Sequence, residues 1–459
     1  MMAFALSATL FLYFWLVGYP IVTLLHTRRD LVRNALIAPA VGVVITIYSS
    51  YVLSRIGVPV GQFARLLAVA TLGLSGTIWI WRKPLLPGRH LAPYILILLF
   101  AFFATGWPLL TLGFAWVGDV NQDMMHYVLG AHRLVDQAYI QAPDPQTWLS
   151  RSDWTVYFAI APALGLRTGS ELLLAWSIAL TGREGVAAYM VLLVAVHVAL
   201  VFTATALIST PYRYARILTA LLMSAAGMLS VSVALQLMAQ VLGLMVLSLL
   251  TLLCLRPFHQ FGSRVSLHFV ALTGLVMAAS FLTYPEVLPF FGIAFMINQA
   301  VFGNEMRSLG RVFVGMTAVV FIAAILTAPD VVGLATFLLE SAQAANTGKR
   351  VLTQFPYFLV PTGLAALWGL TRFAPGESPA VPIAIVAGAA LTFGGIASTF
   401  WLVWRREPAA AVAVVMLALA AYLFATDNGF GTLKFALYVQ PFMLPVSVLA
   451  LCLVTRSAR

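Results

Sequence analysis

Long apolar runs separated by short polar loops repeat from one end of the chain to the other. They fall at about 4–26, 34–54, 64–81 and 91–115, then 185–208, 214–232 and 236–255, then 266–283, 287–302 and 312–328, and finally 380–403, 409–425 and 433–454. A bilayer core takes roughly 20 apolar residues per helix, so each run is read as one spanning helix, about 13 in all. The pattern predicts an all-α fold, a polytopic transmembrane helical bundle, with residues 1–459 forming a single integral membrane domain.

Two stretches break the pattern. Residues 116–182 begin with the longest polar excursion, including the turn-rich Ala142-Pro143-Asp144-Pro145-Gln146, and continue as a moderately apolar part interrupted by Pro162, Gly165, Gly169 and Glu171. This is read as an external loop region with amphipathic or re-entrant helices. In residues 329–370, the run 331–346 is short and carries Glu340 and Gln343, while Pro356 and Pro361 interrupt 351–370. Loop parity requires that both runs span or neither does. Neither is the preferred reading, which makes this a second external region; two additional spans are the alternative.

Charge supports this topology. The loops His26 to Arg33, Trp81 to His90, Pro211 to Arg216, Arg256 to Arg264, Asn304 to Arg311 and Trp404 to Glu407 are basic and alternate with loops that are not, which places them in the cytoplasm. With 62% hydrophobic and 9% charged residues, the chain lies outside the soluble class. Its net charge of +11 is therefore a topological signal, not the mark of a nucleic-acid partner. Cys254 and Cys452 lie in apolar runs and are expected as buried free thiols, and His197, within a run, as a hydrogen-bonded packing residue.

Acidic residues are scarce, 15 in 459, so their placement is informative. On this topology Asp119, Asp123, His126, His132, Arg133, Asp153, Glu286, Asp427 and Lys434 all collect on the outer face. The first motif is Gly118-Asp119-Val120-Asn121-Gln122-Asp123-Met124-Met125-His126-Tyr127, running on to Arg133 and Asp136. Residues 124–137 read as a helix with Asn121 or Asp123 as N-cap. Asp123, Tyr127 and Ala131 then share one face, and Asp119 lies in the preceding turn. Such carboxylates either act as a general base on a hydroxyl, or hold a divalent cation such as Mg2+ or Mn2+, or simply cap the helix and complement its dipole. His126 and His132 are six apart, which is not metal-ligand spacing on one helix face.

Thr283-Tyr284-Pro285-Glu286 is the second motif. Pro and Glu suit a helix start, but a carboxylate at the membrane face is costly and marks a functional candidate; Glu286 would pair with Arg133 or Lys434, or orient an acceptor hydroxyl. The third is the turn Asp427-Asn428-Gly429-Phe430-Gly431, followed by Lys434, Tyr438 and Gln440. Lys434, about a turn into the last helix, either snorkels or meets an anion. Lys349 and Arg350 are either an ordinary loop pair or a grip on an anionic ligand.

The segment Asp123-Met124-Met125-His126-Tyr127-Val128-Leu129-Gly130-Ala131-His132-Arg133-Leu134 resembles the first external loop of GT-C glycosyltransferases, such as the protein O-mannosyltransferases and lipid A aminoarabinose transferases. In those an acidic residue is followed four on by Tyr and eight on by a small residue. The resemblance covers roughly 20 residues, and here about four helices precede the loop instead of one. It implies a GT-C-like architecture and a glycosyltransferase that moves a sugar from a polyprenyl-phosphate donor to a glycan, lipid or protein acceptor on the periplasmic or extracellular side of a bacterial inner (plasma) membrane. Asp123 would be the catalytic or acceptor-orienting carboxylate, assisted by Asp119 and Glu286. Tyr127, His126, Arg133, Tyr284, Asp427, Lys434, Lys349 and Arg350 would bind substrate, with Lys434 and Arg133 on the donor phosphate. Two other readings stand beside it: a transporter or lipid-linked-sugar flippase using the same carboxylates, and a non-catalytic subunit that keeps the architecture.

Overall fold

The computed structural model describes residues 1–24, 30–118, 122–141, 146, 167–208, 212–255, 267–302, 306–328, 330–346, 361–371, 378–426 and 428–457. Among them no strand occurs, and the chain is a bundle of helices. In order they are α1 Met2–Thr23, α2 Leu31–Arg55, α3 Val60–Arg82, α4 Ala92–Thr111, α5 Gln122–Asp136, α6 Gly169–Thr181, α7 Gly185–Thr205, α8 Arg213–Ser224, α9 Gly227–Ala234, α10 Met238–Leu250, α11 Leu267–Thr283, α12 Leu288–Phe302, α13 Met306–Leu326, α14 Val331–Asn346, α15 Thr362–Leu367, α16 Ala380–Trp404, α17 Pro408–Ala425 and α18 Gly429–Ser457.

Nine helical segments among the described residues are long and apolar enough to cross a membrane, or up to twelve if each of three bent pairs is one span. The apolar runs suggest about 13, and the difference arises where hydropathy cannot register an angle. Helices α11 and α12, with 17 and 15 residues, turn through 117° at Tyr284–Val287. At 1.5 Å per residue neither alone reaches the roughly 30 Å of a hydrocarbon core. Helices α13 and α14 are bent by 114° in the same way, and α14 packs against the turn at Pro285–Val287.

Helices α1 and α2 form the tightest pair. A Cβ added to Gly18 would overlap the Ala38 carbonyl and one on Gly42 the Phe14 carbonyl, so the two backbones touch. Small residues at a crossing permit this approach, and in lipid the packing contact itself drives association. Around this pair α7 and α10 occupy the centre, with every residue of α10 buried. Helix α16, by contrast, shows most of its apolar surface on the outside, as a lipid-facing helix would.

Two sets of contacts define the two ends of the bundle. At one end Asp30 receives the guanidinium of Arg216, the Tyr19 hydroxyl donates to the Leu85 carbonyl at 2.5 Å, and Asn298 Nδ2 donates to the Leu255 carbonyl at 3.0 Å. At the other end Arg55 meets Asp330, the Tyr139 amide donates to Ser54 Oγ, Arg183 lies over the Phe114 ring, and Arg167 meets Glu286. The alternation matches that of basic and non-basic loops. Asp123, Glu171, Glu286 and Asp330 all belong to this second end.

Cys254 is a buried free thiol and Cys452 a half-buried one. His197 is fully buried, but neither ring nitrogen has a hydrogen-bond partner, which corrects the expectation of a hydrogen-bonded packing residue. Its surroundings on α7 are apolar, leaving no acceptor for the ring N–H.

Candidate functional site

Helix α5 carries the first motif. It starts at Gln122, so Asp123 lies inside its first turn and is not the N-cap; the cap position, Asn121, falls outside the described residues, as does Asp119. The helical period places Asp123, Tyr127 and Ala131 on one face. Tyr127 and Ala131 are buried and Asp123 half-buried, while His126 is exposed on another side. The Tyr127 ring stacks on Tyr189 of α7 with centroids 6.2 Å apart. The Tyr189 hydroxyl donates to the Gln236 carbonyl at 2.5 Å, and the Gln236 side chain donates to the Val117 carbonyl. Gln236 adopts φ +61°, a left-handed conformation unusual for a side-chain-bearing residue, at the break between α9 and α10. The chain entering α5 is thus tied to the centre of the bundle.

Helix α6 packs along α5. It is apolar nearly all round, and every residue from Gly169 to Ile178 is buried, as expected of a helix enclosed on all sides. With 13 residues it is too short to cross a bilayer. A Cβ on Gly169 would lie 2.5 Å from Thr283 Cγ2, so this glycine lets α6 begin directly against the end of α11. That approach brings Arg167, two residues earlier, to the 117° corner.

There Arg167 forms an ion pair with Glu286 and lies over the Tyr284 ring, 4.5 Å from its centroid. Cation–π stacking of this kind holds a guanidinium in plane without using its N–H donors. The Tyr284 hydroxyl hydrogen-bonds that of Tyr438 on α18. Tyr438 is flanked by Phe290 and Phe435, with centroids at 6.4 and 5.2 Å. Lys434, half-buried, lies one helical turn before Tyr438 on the same face of α18.

Glu171 completes the cluster from the first turn of α6. Burial pushes its carboxyl up to about 7, against the pull of a backbone hydrogen bond and of Arg167. Its Oε2 has no hydrogen-bond partner, and neither has Oε2 of Glu286. The Tyr127 phenol is raised well above its usual range by burial, with Arg167 opposing and Glu171, Asp123 and Tyr284 adding to the shift. These residues therefore share one electrostatic neighbourhood.

The structure brings together four of the residues singled out from sequence, Asp123, Tyr127, Tyr284 and Glu286, with Lys434 a turn from Tyr438. It corrects the partner of Glu286, which is Arg167 and neither Arg133 nor Lys434. Arg133 is buried and donates from Nη2 to the Gln141 carbonyl at 2.5 Å, so it closes the loop after its own helix. His132 accepts from the Gly185 amide at 3.3 Å. Asp427, Lys349, Arg350 and Asp153 lie outside the described residues. Sequence reasoning missed Arg167 and the chemical role of Glu171. Their signal was an arginine and a glutamate four apart at the start of Leu-Leu-Leu-Ala-Trp, in a chain with little charge to spare.

Among the described residues no group of three or more His, Cys, Asp or Glu is placed to hold a metal ion. What the cluster offers is a cation held against two carboxyls and an aromatic wall, with a third carboxylate, Asp123, on the neighbouring helix.

No family model matches the sequence, and no curated protein does. Among solved structures the chain is similar to the apo crystal structure of the Archaeoglobus fulgidus oligosaccharyltransferase, with 16% sequence identity, a TM-score of 0.43, and coverage of 81% of this chain and 51% of that one. The chain thus spans about half the length of that protein.

Proposed function

We propose that this protein is a membrane glycosyltransferase that moves a sugar from a polyprenyl-phosphate donor to an acceptor hydroxyl at the end of the bundle bearing Asp123. The observation that carries the reading is the convergence, at one end only, of Asp123, Arg167, Glu171, Glu286, Tyr284 and Tyr438 from four separate parts of the chain. The local likeness of Asp123, Tyr127 and Ala131 to the GT-C loop agrees with it. The opposite end carries Arg82, Lys83, Arg89, Arg213 and Arg216, so the positive-inside rule puts the site end on the periplasmic or extracellular side.

In this reading the acceptor attacks the anomeric carbon, the bond from that carbon to the phosphate oxygen breaks, and the electron pair leaves with the polyprenyl phosphate. Asp123 orients the acceptor and takes its proton. Arg167 and Lys434 stabilise the charge growing on the phosphate, the kind of preorganised electrostatics that supplies much of an enzyme's rate. Arg133 donates to the Gln141 carbonyl and is not assigned to the phosphate. The test is transfer from a polyprenyl-linked sugar in membranes containing the Asp123→Asn variant. Activity should fall by about 10²–10⁴-fold, the usual worth of a general base. Full retention removes Asp123 from the mechanism, and movement of the lipid-linked sugar across proteoliposomes without any covalent product replaces the reading with a flippase.

A further inference from the structure

We propose that Glu171 is a positioning residue that carries a proton when a phosphate ester docks at Arg167, so that the two carboxyls flanking this guanidinium never both compete with the ligand. The identification of the phosphate as that of a lipid-linked donor rests on the glycosyltransferase reading; the proton linkage does not.

Arg167 is paired with Glu286 across the corner of α11 and α12, and Glu171, four residues further along the chain in the first turn of α6, lies within reach of the Arg167 charge. The two acids are not equivalent. The Arg167 and Glu286 side chains are about a quarter exposed, at 24% and 26%, and it is on this pair that the proposed anion docks. Glu171 is only 9% exposed, with Oε2 buried and unpartnered. A carboxylate so placed is better neutral than charged.

Charge then decides the consequence. With Glu171 neutral, Arg167 and Glu286 sum to zero and a phosphate meets a guanidinium opposed by one carboxylate only. With Glu171 ionised the same cluster carries a net negative charge and repels the ligand. The titratable groups that reach Glu171 do not offset this. They are Arg167, Tyr127 on α5, Tyr139 beyond it and Tyr189 on α7. Asp123 on α5 and Tyr284 after α11 share the neighbourhood through Tyr127. On α5, His126 and Asp136 are exposed, His132 accepts from the Gly185 amide and Arg133 donates to the Gln141 carbonyl, while His197 of α7 lies about three turns from the start of that helix. Of the other elements packed on α6, α10 has no charged residue and α11 has only His268, at its far end. Helix α3 has Arg65, exposed, and Arg82 at its far end. On α2, Arg55 and Tyr51 are turned to Asp330, the Tyr48 hydroxyl donates to the Leu326 carbonyl, and Arg33 is at the far end.

The sign follows. Burial sets the Glu171 transition at about 7, so the acid is neutral below that pH and ionised above it. Docking an anion at Arg167 favours the neutral form and must draw in a proton above pH 7. The experiment is calorimetric titration of the full chain in detergent with farnesyl phosphate, and in a second arm with inorganic phosphate, between pH 6 and 8.5 in two buffers of different ionisation enthalpy. Wild-type affinity should fall about tenfold per pH unit above 7, with uptake of one proton. Glu171→Gln should match wild type at pH 6, bind about tenfold more tightly than wild type at pH 8, and take up no proton. The second ionisation of the ligand, near 6, is common to both proteins. A variant that keeps the wild-type fall and proton uptake overturns the inference, as does failure of wild type to bind either probe at pH 6.

Inorganic phosphate giving the same proton-linked step, with no gain from the prenyl chain, upholds the role of Glu171 and removes the lipid-linked donor from the proposed function. Infrared difference spectra of wild type need no variant. A carboxylic-acid C=O band should bleach between pH 6 and 8 and persist when farnesyl phosphate is bound; its absence overturns the inference.

Discussion

The two ends of the bundle each hold an arginine–carboxylate pair, and the pairs are built for different purposes. At the basic end Arg216 meets both oxygens of Asp30, at 3.1 and 2.7 Å, and donates from Nε and Nη2 to the Ile208 carbonyl at 3.3 and 2.8 Å. Asp30 also caps α2 by accepting from the Arg33 amide at 2.9 Å, and the side chains are only 4% and 7% exposed. Geometry this complete is what a buried pair needs to offset desolvation. At the site end Arg167 lies against one oxygen of Glu286, the other Glu286 oxygen has no partner, and both side chains are more exposed. One pair is satisfied and closes a joint between α2 and α8. The other leaves hydrogen-bonding capacity open, which is what a ligand requires and a staple does not.

The largest effect that would sharpen this contrast is on stability. Arg216→Ala strips Asp30 of its cation in a buried place and should cost about 3–5 kcal/mol, read by chemical denaturation in detergent, while activity per folded molecule is kept. A loss below about 1 kcal/mol would mean that the Arg216–Asp30 pair is not a staple. Next comes Arg167→Gln, for which the expectation is reversed. Sugar transfer should fall by about 10²–10³-fold, the worth of one preorganised donor to a developing anion, while stability should fall by less than for Arg216→Ala, because this pair makes a single contact and is about a quarter exposed. The smallest is Tyr438→Phe. Removing one partner of the Tyr284 hydroxyl should cost about 1 kcal/mol and leave the Arg167 stack in place, so transfer should change far less than for Arg167→Gln.

Much of the bundle was readable in the sequence because a spanning helix needs little more than a continuous apolar run. Helices α1, α2, α7, α10 and α16 coincide with such runs. The two sharp corners were not readable, since 267–302 is equally apolar on both sides of Tyr284 and hydropathy carries no angle. The same divide runs through the site. Asp123, Tyr127 and Ala131 could be set on one face from the helical period alone, and Tyr284 and Glu286 stood out as polar groups beside a proline. The link from Arg167 to Glu286 joins residues 119 apart, and no local pattern encodes it. Arg133 drew attention because it sits inside the motif, yet the nearby carbonyl of Gln141 captures it. Nothing in its spacing distinguishes a guanidinium that closes a loop from one that waits for a substrate.

The backbone contact between α1 and α2 at Gly18 and Gly42 bears on how the molecule is made. Both glycines are synthesised before any residue of the site, so this hairpin can lock as soon as its second arm enters the bilayer, while Asp123 is still unborn in the ribosome. Later helices then dock on a finished surface: the Trp176 ring of α6 settles against Tyr13 and Phe14 of that first pair. A bulky residue at either glycine would thus be felt in biogenesis, as chains that fail to assemble and are degraded, and the survivors would still turn over as usual.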